Sequence, residues 1–463
     1  MPNGMRKTIN NMDRPLIEKY NVPGPRYTSY PTVPYWENSI HVEQWKEKVK
    51  ASFDKTNENE GISIYIHLPF CESLCTYCGC NTRITVNHAV EQIYIKALIK
   101  EWSMYLAVFG GKPRIREVHL GGGTPTFFSP EHLRELLEHI FSTADICENP
   151  SFSFEAHPNN TTYEHLKTLY DLGFRRLSLG IQDFDPKVQE IVNRIQPFEN
   201  VQLITNQARA IGYTSLNFDL IYGLPLQKLS SVVDTINKVN SLRPDRIAFY
   251  SYAHVPWIKP GQRKFTEADL PENEEKLELY VTGKKMFEEA GYVEIGMDHF
   301  ALKTDSLYEA SENGTLHRNF MGYTSSYTEL MVSLGVSSIS DTWNAYAQNV
   351  KKVEEYYQCL KKGELPVYRG HLLNEEDLVL RRHILNIMCK GQTSWEKKSE
   401  QVEAVYNAVE LLKEMEYDGL VVLKPFHLKV TEKGKAFLRN ICMTFDARLH
   451  RNVPQTQVFS KTI

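Results

Sequence analysis

The chain has 463 residues, with 53 Lys and Arg against 57 Asp and Glu for a net charge of -4. That length exceeds what one hydrophobic core usually serves, so a large domain with one smaller companion is expected. The near balance of charge excludes a global basic field for nucleic acid or an anionic membrane. No apolar run is long enough to cross a bilayer, and the polar start Met1-Pro-Asn-Gly-Met-Arg-Lys7 lacks the apolar core of a signal peptide; both point to the cytoplasm and to no membrane partner. Of the eight cysteines four crowd one loop, while Cys147, Cys359, Cys389 and Cys442 are scattered, which does not resemble a secreted disulfide framework.

Residues 16–32 hold three prolines and one glycine, which argue against regular helix or central strand and predict an extended N-terminal arm. From residue 62 onward short β-rich runs alternate with longer helical patterns, the signature of βα units on a parallel sheet. The runs lie at 62–67, 117–120, 151–155, 176–181, 215–221 and 246–252. Helix candidates fall at 89–109, 130–141, 163–172, 187–211 and 230–242, several opened by Ser, Thr, Asp or Pro as caps. Six such units fall short of the eight in a closed barrel. Beyond Pro271 a helical stretch to Ala290 precedes residues 292–300, one further strand, and then a Gly- and Ser-containing region through Ser340. Residues 373–390 and 399–416 read as helices, and 419–423 with 428–431 as a small hairpin, together a winged-helix-like C-terminal domain. Acidic runs such as Asn374-Glu-Glu-Asp377 and the lack of a basic stripe speak against nucleic acid there. The expected division is 1–60 for the arm and lead-in, 61–368 for the α/β domain with its extension, and 369–463 for the helical domain.

The chemistry concentrates in Cys71-Glu-Ser-Leu-Cys75-Thr-Tyr77-Cys78-Gly-Cys80, at the end of the first predicted strand. Soft thiolates on one loop suit an iron-sulfur cluster or zinc, either of which normally takes four protein ligands. If only Cys71, Cys75 and Cys78 ligate a four-iron cluster, one iron keeps an open position for a small molecule. The zinc reading would add Cys80 or His88 as the fourth ligand. Gly121-Gly-Gly-Thr-Pro125 follows the second strand, where glycines let the backbone approach a ligand closely, or simply turn. Glu155, Gln182, Arg194 and Asp219 stand at or after later strand ends, the face on which parallel α/β folds place ligands.

The thiol spacing, with Tyr77 before the last ligand, resembles the radical S-adenosylmethionine (SAM) enzymes. Tyr65-Ile-His-Leu-Pro-Phe-Cys71, Gly121-Gly-Gly-Thr-Pro125, Leu220-Ile-Tyr-Gly-Leu-Pro225 and His317-Arg-Asn-Phe-Met-Gly-Tyr323 together resemble the oxygen-independent coproporphyrinogen III oxidase (dehydrogenase) family of haem synthesis, from about Leu16 to the C-terminus. The resemblance implies an open, three-quarter TIM-like barrel and a 4Fe-4S cluster on Cys71, Cys75 and Cys78. Around the SAM that caps its open iron it implies Tyr65, Gly122, Glu155 and Ile339. Around a second SAM it implies Tyr77, Gly123, Thr124, Gln182, Arg194, Asp219 and Ala253, and it makes Tyr65, Glu155 and Arg194 the candidate catalytic residues. It implies anaerobic decarboxylation of two propionates of coproporphyrinogen III to vinyl groups by a 5'-deoxyadenosyl radical, fed by a one-electron donor. By composition and place Arg26, Tyr27, Tyr30, His299, His317, Arg318 and Tyr323 are candidates to face the propionates. The alternative is a radical-SAM-like haem chaperone without decarboxylase activity. Against it stand the 23–31 arm, Cys80 and Arg194. Nothing in the sequence indicates an oligomer, and a monomer is expected.

Overall fold

The computed structural model describes residues 14–452, 454, 456 and 458–462; the polar start at residues 1–7 lies outside them. Six parallel strands carry the fold: β1 (Ile62–Leu68), β2 (Arg114–Gly122), β3 (Asp145–Ala156), β4 (Arg176–Gln182), β5 (Ser215–Tyr222) and β6 (Arg246–Ser251). They pair in sequence order, as consecutive βα units must when each crossover helix packs back on the sheet. The helix Val90–Phe109 shows how: Tyr94, Leu98, Trp102, Tyr105 and Phe109 form one buried stripe at helical spacing. Ser129 and Thr162 cap their helices by accepting from the backbone N–H of His132 and His165.

The sheet does not close. It continues past β1 through Met331–Leu334, parallel to β1, and then Ile339–Asp341, Ala345–Asn349 and Val367–Leu372, all antiparallel. Past β6 it ends on the antiparallel pair His299–Leu302 and Tyr292–Ile295. Three expectations are corrected here. The predicted strand at 292–300 is a hairpin, because Gly296 and Asp298 both take positive φ and turn the chain. The predicted helix at 187–211 is two, Pro186–Ile191 and Phe198–Ile211, since Pro197 has no N–H to continue the first and Asn193 is left-handed. The arm begins with a seven-residue helix of about two turns, Arg14–Tyr20, and becomes extended only where its prolines start at Pro23.

The arm and the helical domain share a core: Tyr20 and Tyr27 are buried with Phe437, Leu438 and Ile441. Arg439 clamps the junction, donating to the carbonyls of Gly24 and Pro25 and to that of Thr462. The helical domain itself consists mainly of Glu375–Lys390 and Glu403–Tyr417 over a three-stranded sheet, Gln392–Ser394, His427–Val430 and Val421–Lys424. Among the described residues no helix is long and apolar enough to cross a membrane.

One buried acid ties the sheet extension to the barrel. The Glu101 carboxylate, wholly inaccessible, accepts from Gly335 N (2.8 Å), Tyr356 Oη (2.6 Å) and Asn349 Nδ2 (2.7 Å). Burial pushes it up to about 7 from an ordinary 4.5, with the three donors opposing. The folded state therefore binds more protons than the unfolded one between those values, so stability falls as pH rises from 4.5 through about 7. Thermal melts across that window should show the loss, on the order of 3 kcal/mol at most from this group. Glu101→Gln should flatten that part of the profile.

Candidate active site

β1 ends at Pro69, and the chain bends into the cysteine loop, held by a two-residue parallel ladder of Phe70–Cys71 against Arg83–Ile84. The next strand end packs directly on this bend: Gly123 N donates to Leu68 O (2.8 Å) and Thr124 N to Phe70 O (3.0 Å). The approach is so close that a Cβ on Gly123 would lie 2.6 Å from Pro69 O, and one on Gly122, at φ +117°, 2.8 Å from the His67 ring. The glycines are thus required by contact.

The break between the two helices after β4 is what supplies the far wall. Thr76 N donates to Val192 O (3.0 Å) and Asn193 Nδ2 to Leu74 O (2.8 Å), stapling the loop to that break. Arg194 follows, half-buried, with Nη2 donating to Gly180 O (2.6 Å) and Nη1 to Cys75 Sγ (3.5 Å). Its Nε is buried with no protein partner. Burial opposes its charge, yet Tyr77, Cys75 and Cys78 hold it above the usual value. Gly180 permits this seat, because a Cβ there would meet Arg194 Nη2 at 2.8 Å.

One cavity of about 650 Å³ brings most of the predicted residues together. Cys71, Cys75, Cys78, Tyr77, Gly122, Gly123, Thr124, Glu155, Gln182, Arg194 and Asp219 all line it, with Cys80 beside them. Glu155 accepts from Gly122 N (3.3 Å). Burial, and then the Glu155 charge, push Asp219 up to about 6; Ser178 Oγ and Asn217 Nδ2 donate to it. Burial also pushes the Cys71 thiol up to about 11, while Cys80 holds Cys78 down. Tyr65 and Ile339 line a neighbouring cavity of about 170 Å³ with His67 and Met321. Ala253 lines neither; Gln262 Nε2 donates to its carbonyl (3.2 Å) and to that of Tyr77 (3.3 Å), which places Ala253 one side chain away from the loop.

All eight cysteines are free, and four of them, Cys71, Cys75, Cys78 and Cys80, line one cavity. Among the described residues no three His, Cys, Asp or Glu gather round a single metal-ion position. The fit to a cluster therefore rests on soft donors facing a roomy, glycine-lined cavity, with an unpaired guanidinium N–H at its wall.

His67 is a residue that motif reasoning quoted without assigning. It donates from Nε2 to Asn81 O (2.9 Å), so its Nδ1 accepts from Tyr65 Oη (3.1 Å) and fixes that hydroxyl. Burial holds His67 below its ordinary value and therefore neutral. Tyr250 was also missed. It lines the main cavity and a second, polar one of about 220 Å³ in the barrel interior. Of the propionate candidates, Tyr27 donates to Asp446 (3.0 Å) and Tyr323 Oη bridges Met297 N and Met388 O, both structural roles. His299 lies between Met297 O and Tyr250 Oη, with burial lowering it to about 4. His317 packs edge-on against Tyr327, and Tyr30 is a buried residue of the arm itself. Arg26 pairs with Asp298 (3.2 Å) and donates to Ser251 O, whereas Arg318 lies over Tyr323 with its Nε and Nη1 unpartnered.

Residues 65–239 match the radical SAM superfamily. The chain is 38% identical to the oxygen-independent coproporphyrinogen III oxidase of Helicobacter pylori J99, over 98% of this chain and 100% of that one. It is 37% identical to the enzyme of the same name from Escherichia coli K12, over 97% and 98%. The solved structure of coproporphyrinogen III oxidase from Escherichia coli, described as a radical SAM enzyme, superposes with a TM-score of 0.87 at 35% identity, over 94% of this chain and 99% of that one. With the cysteine loop, the glycine strand end and the open parallel sheet in matching register of function, the chain belongs to the oxygen-independent coproporphyrinogen III oxidases of the radical SAM superfamily.

Proposed function

We propose that this chain decarboxylates two propionates of coproporphyrinogen III to vinyl groups without oxygen, giving protoporphyrinogen IX for haem synthesis, as a cytoplasmic monomer. The observation that carries the reading is the convergence of the loop cysteines, the Gly122–Thr124 strand end, Glu155, Arg194 and Asp219 on one cavity, in a chain matched end to end by relatives of that name. Membership of the superfamily brings a 4Fe-4S cluster and SAM. Three ligands, Cys71, Cys75 and Cys78, and two SAM molecules per chain are the finer reading.

When bound, cluster and SAM supply a carbon radical that takes one hydrogen atom from a propionate β-carbon, after which the carboxylate leaves as carbon dioxide and one electron departs to an acceptor. The protein's part is placement. Close backbone approach at Gly122 leaves carbonyl oxygens to accept from an amino group, and Glu155 can take ribose hydroxyls. His67 fixes the Tyr65 hydroxyl beside the Ile339 cavity, where an adenine ring fits between apolar walls. Arg194 offers its unpaired Nε to a carboxylate of the second SAM, and Asp219, at about 6, stands near its switching range opposite it. Gln182 and Ala253 complete that second seat, and Arg318 and Arg26 remain for propionates. The division into 1–60, 61–368 and 369–463 belongs to the same reading, with the helical domain steadying the arm.

Anaerobic protein incubated with SAM, a one-electron reductant and coproporphyrinogen III should yield protoporphyrinogen IX, two carbon dioxide per product. SAM cleavage with no decarboxylation would overturn the oxidase reading in favour of the haem chaperone.

A further inference from the structure

The segment after β6 folds over the outside of the cysteine loop. Lys259 Nζ donates to Cys80 O (3.4 Å), Gln262 Nε2 to Tyr77 O (3.3 Å), and a Cβ on Gly261 would touch Leu74 at 3.5 Å. On its outer face this junction leaves three large apolar side chains in water: Leu74, 42% exposed, Trp257, 47%, and Ile258, 53%. Asn81, one residue beyond Cys80, donates to Lys351 O (3.0 Å) and so brings a second lysine alongside.

The charge here is one-sided. Among the described residues Lys259, Lys351 and Arg369 form no ion pair; the Arg369 guanidinium donates only to Gln348 and lies over Trp36 and Tyr368. Burial, then Arg369 and Lys259, hold the Lys351 ammonium below its ordinary value, and no carboxylate offsets them. In a chain of net charge -4, this concentration of uncompensated cations around exposed aromatic and aliphatic groups offers a partner both steering charge and apolar area. Leu74 stands at the rim of the 650 Å³ cavity, while Trp257, Ile258, the two lysines and Arg369 lie outside its lining, so the cationic side of the patch is not the mouth through which substrate and SAM enter.

We propose that this face, Leu74, Trp257 and Ile258 ringed by Lys259, Lys351 and Arg369, is the docking surface for an acidic one-electron carrier protein. The inference rests on the function proposed above, which needs one electron delivered to the cluster for each SAM cleaved. The carrier is oxidised by one electron, the cluster is reduced by one, and no atom is transferred. A partner seated on Lys259 is separated from the thiols only by the thickness of the loop itself. A small apolar centre with a charged rim suits a transient partner steered by electrostatics, whose interface is small and whose association weakens with salt. The three cations require that partner to be acidic.

Reduced, plant-type [2Fe–2S] ferredoxin serves as the probe, with dithionite as the small reductant that needs no docking. Binding of oxidised ferredoxin to the cluster-loaded protein, and the rate of cluster bleaching by reduced ferredoxin, should both fall roughly tenfold in Lys259→Glu/Lys351→Glu, with a shallower salt dependence. Trp257→Ala should weaken binding by a similar factor while leaving the salt dependence unchanged. Cluster content and dithionite-driven SAM cleavage should match the wild type in both variants. Unchanged ferredoxin binding in the double variant would overturn the proposal, as would an equal loss with dithionite. Because binding and bleaching are read without substrate, failure to decarboxylate coproporphyrinogen III would count against the proposed function alone.

Discussion

Cys75→Ala should abolish cluster assembly, while Cys80→Ala should retain it, read as iron and acid-labile sulfide after anaerobic reconstitution. Cys71, Cys75 and Cys78 are distributed round the cavity wall, and Cys75 is the thiol that the Arg194 guanidinium faces at 3.5 Å. A thiol must be deprotonated to ligate the metal, and Cys75 is one of the sulfurs the proposed cluster needs. Removing it leaves two sulfurs, too few to hold a four-iron body, and the variant should also lose the stabilisation that a ligand bound only to the folded state provides, seen as a lower Tm. Cys80 differs in kind. It is exposed, its carbonyl is occupied by Lys259, and its thiol is a hydrogen-bond neighbour of Cys78. Its loss should alter the cluster's environment and leave its iron content near that of the wild type. Equal iron loss in both variants would show four thiol ligands and no open iron.

How far the sequence carried depended on the range of the forces involved. The six barrel strands were legible to within three residues, apart from the start of β3, which lies six residues before the expected run, because β-branched runs between caps are a local signal. The break at 192–197 was not, since apolar spacing continues across it and only Pro197 marks it; yet that break is what sets Arg194 against the thiols. The hairpin at 292–302 likewise hides a turn at Gly296 and Asp298 inside one β-rich run. Of the four sheet strands after residue 330, the first two fall in what reads only as a Gly- and Ser-containing region through Ser340 and the last two carry no reading, for their pairing with β1 and with one another is decided by partners far away in sequence. At the site, motifs named the residues that converge on the main cavity, while His67, Gly180 and Gln262 went unassigned. Each of those acts by orienting another residue, a role that shows only once donors and acceptors can be matched.

Arg194→Leu should reduce SAM cleavage by about two orders of magnitude, chiefly through a raised KM for SAM, with cluster content largely kept. Leucine fills a similar space, so the effect isolates the guanidinium. What is lost is a fixed donor set: Nη2 on Gly180 O, Nη1 on Cys75 Sγ, and a buried Nε that no protein atom satisfies. An unpaired buried N–H costs on the order of 1–3 kcal/mol, a cost removed when a ligand oxygen accepts from it, so binding a carboxylate there is favoured by that amount and by its charge. Removing the donor removes both contributions, about 3 kcal/mol together, or roughly two decades in affinity. The variant also leaves the Gly180 carbonyl without its short partner, although Gln196 Nε2 at 3.2 Å still donates to it, which limits the structural damage. Arg194→Lys distinguishes the two contributions, since the ammonium keeps the charge and loses the fixed fork. It should recover part of the affinity and little of the orientation, so KM should improve over Arg194→Leu more than kcat does. Full recovery by lysine would reduce the role of Arg194 to that of a point charge, and an unchanged KM for SAM in Arg194→Leu would remove it from the second SAM seat.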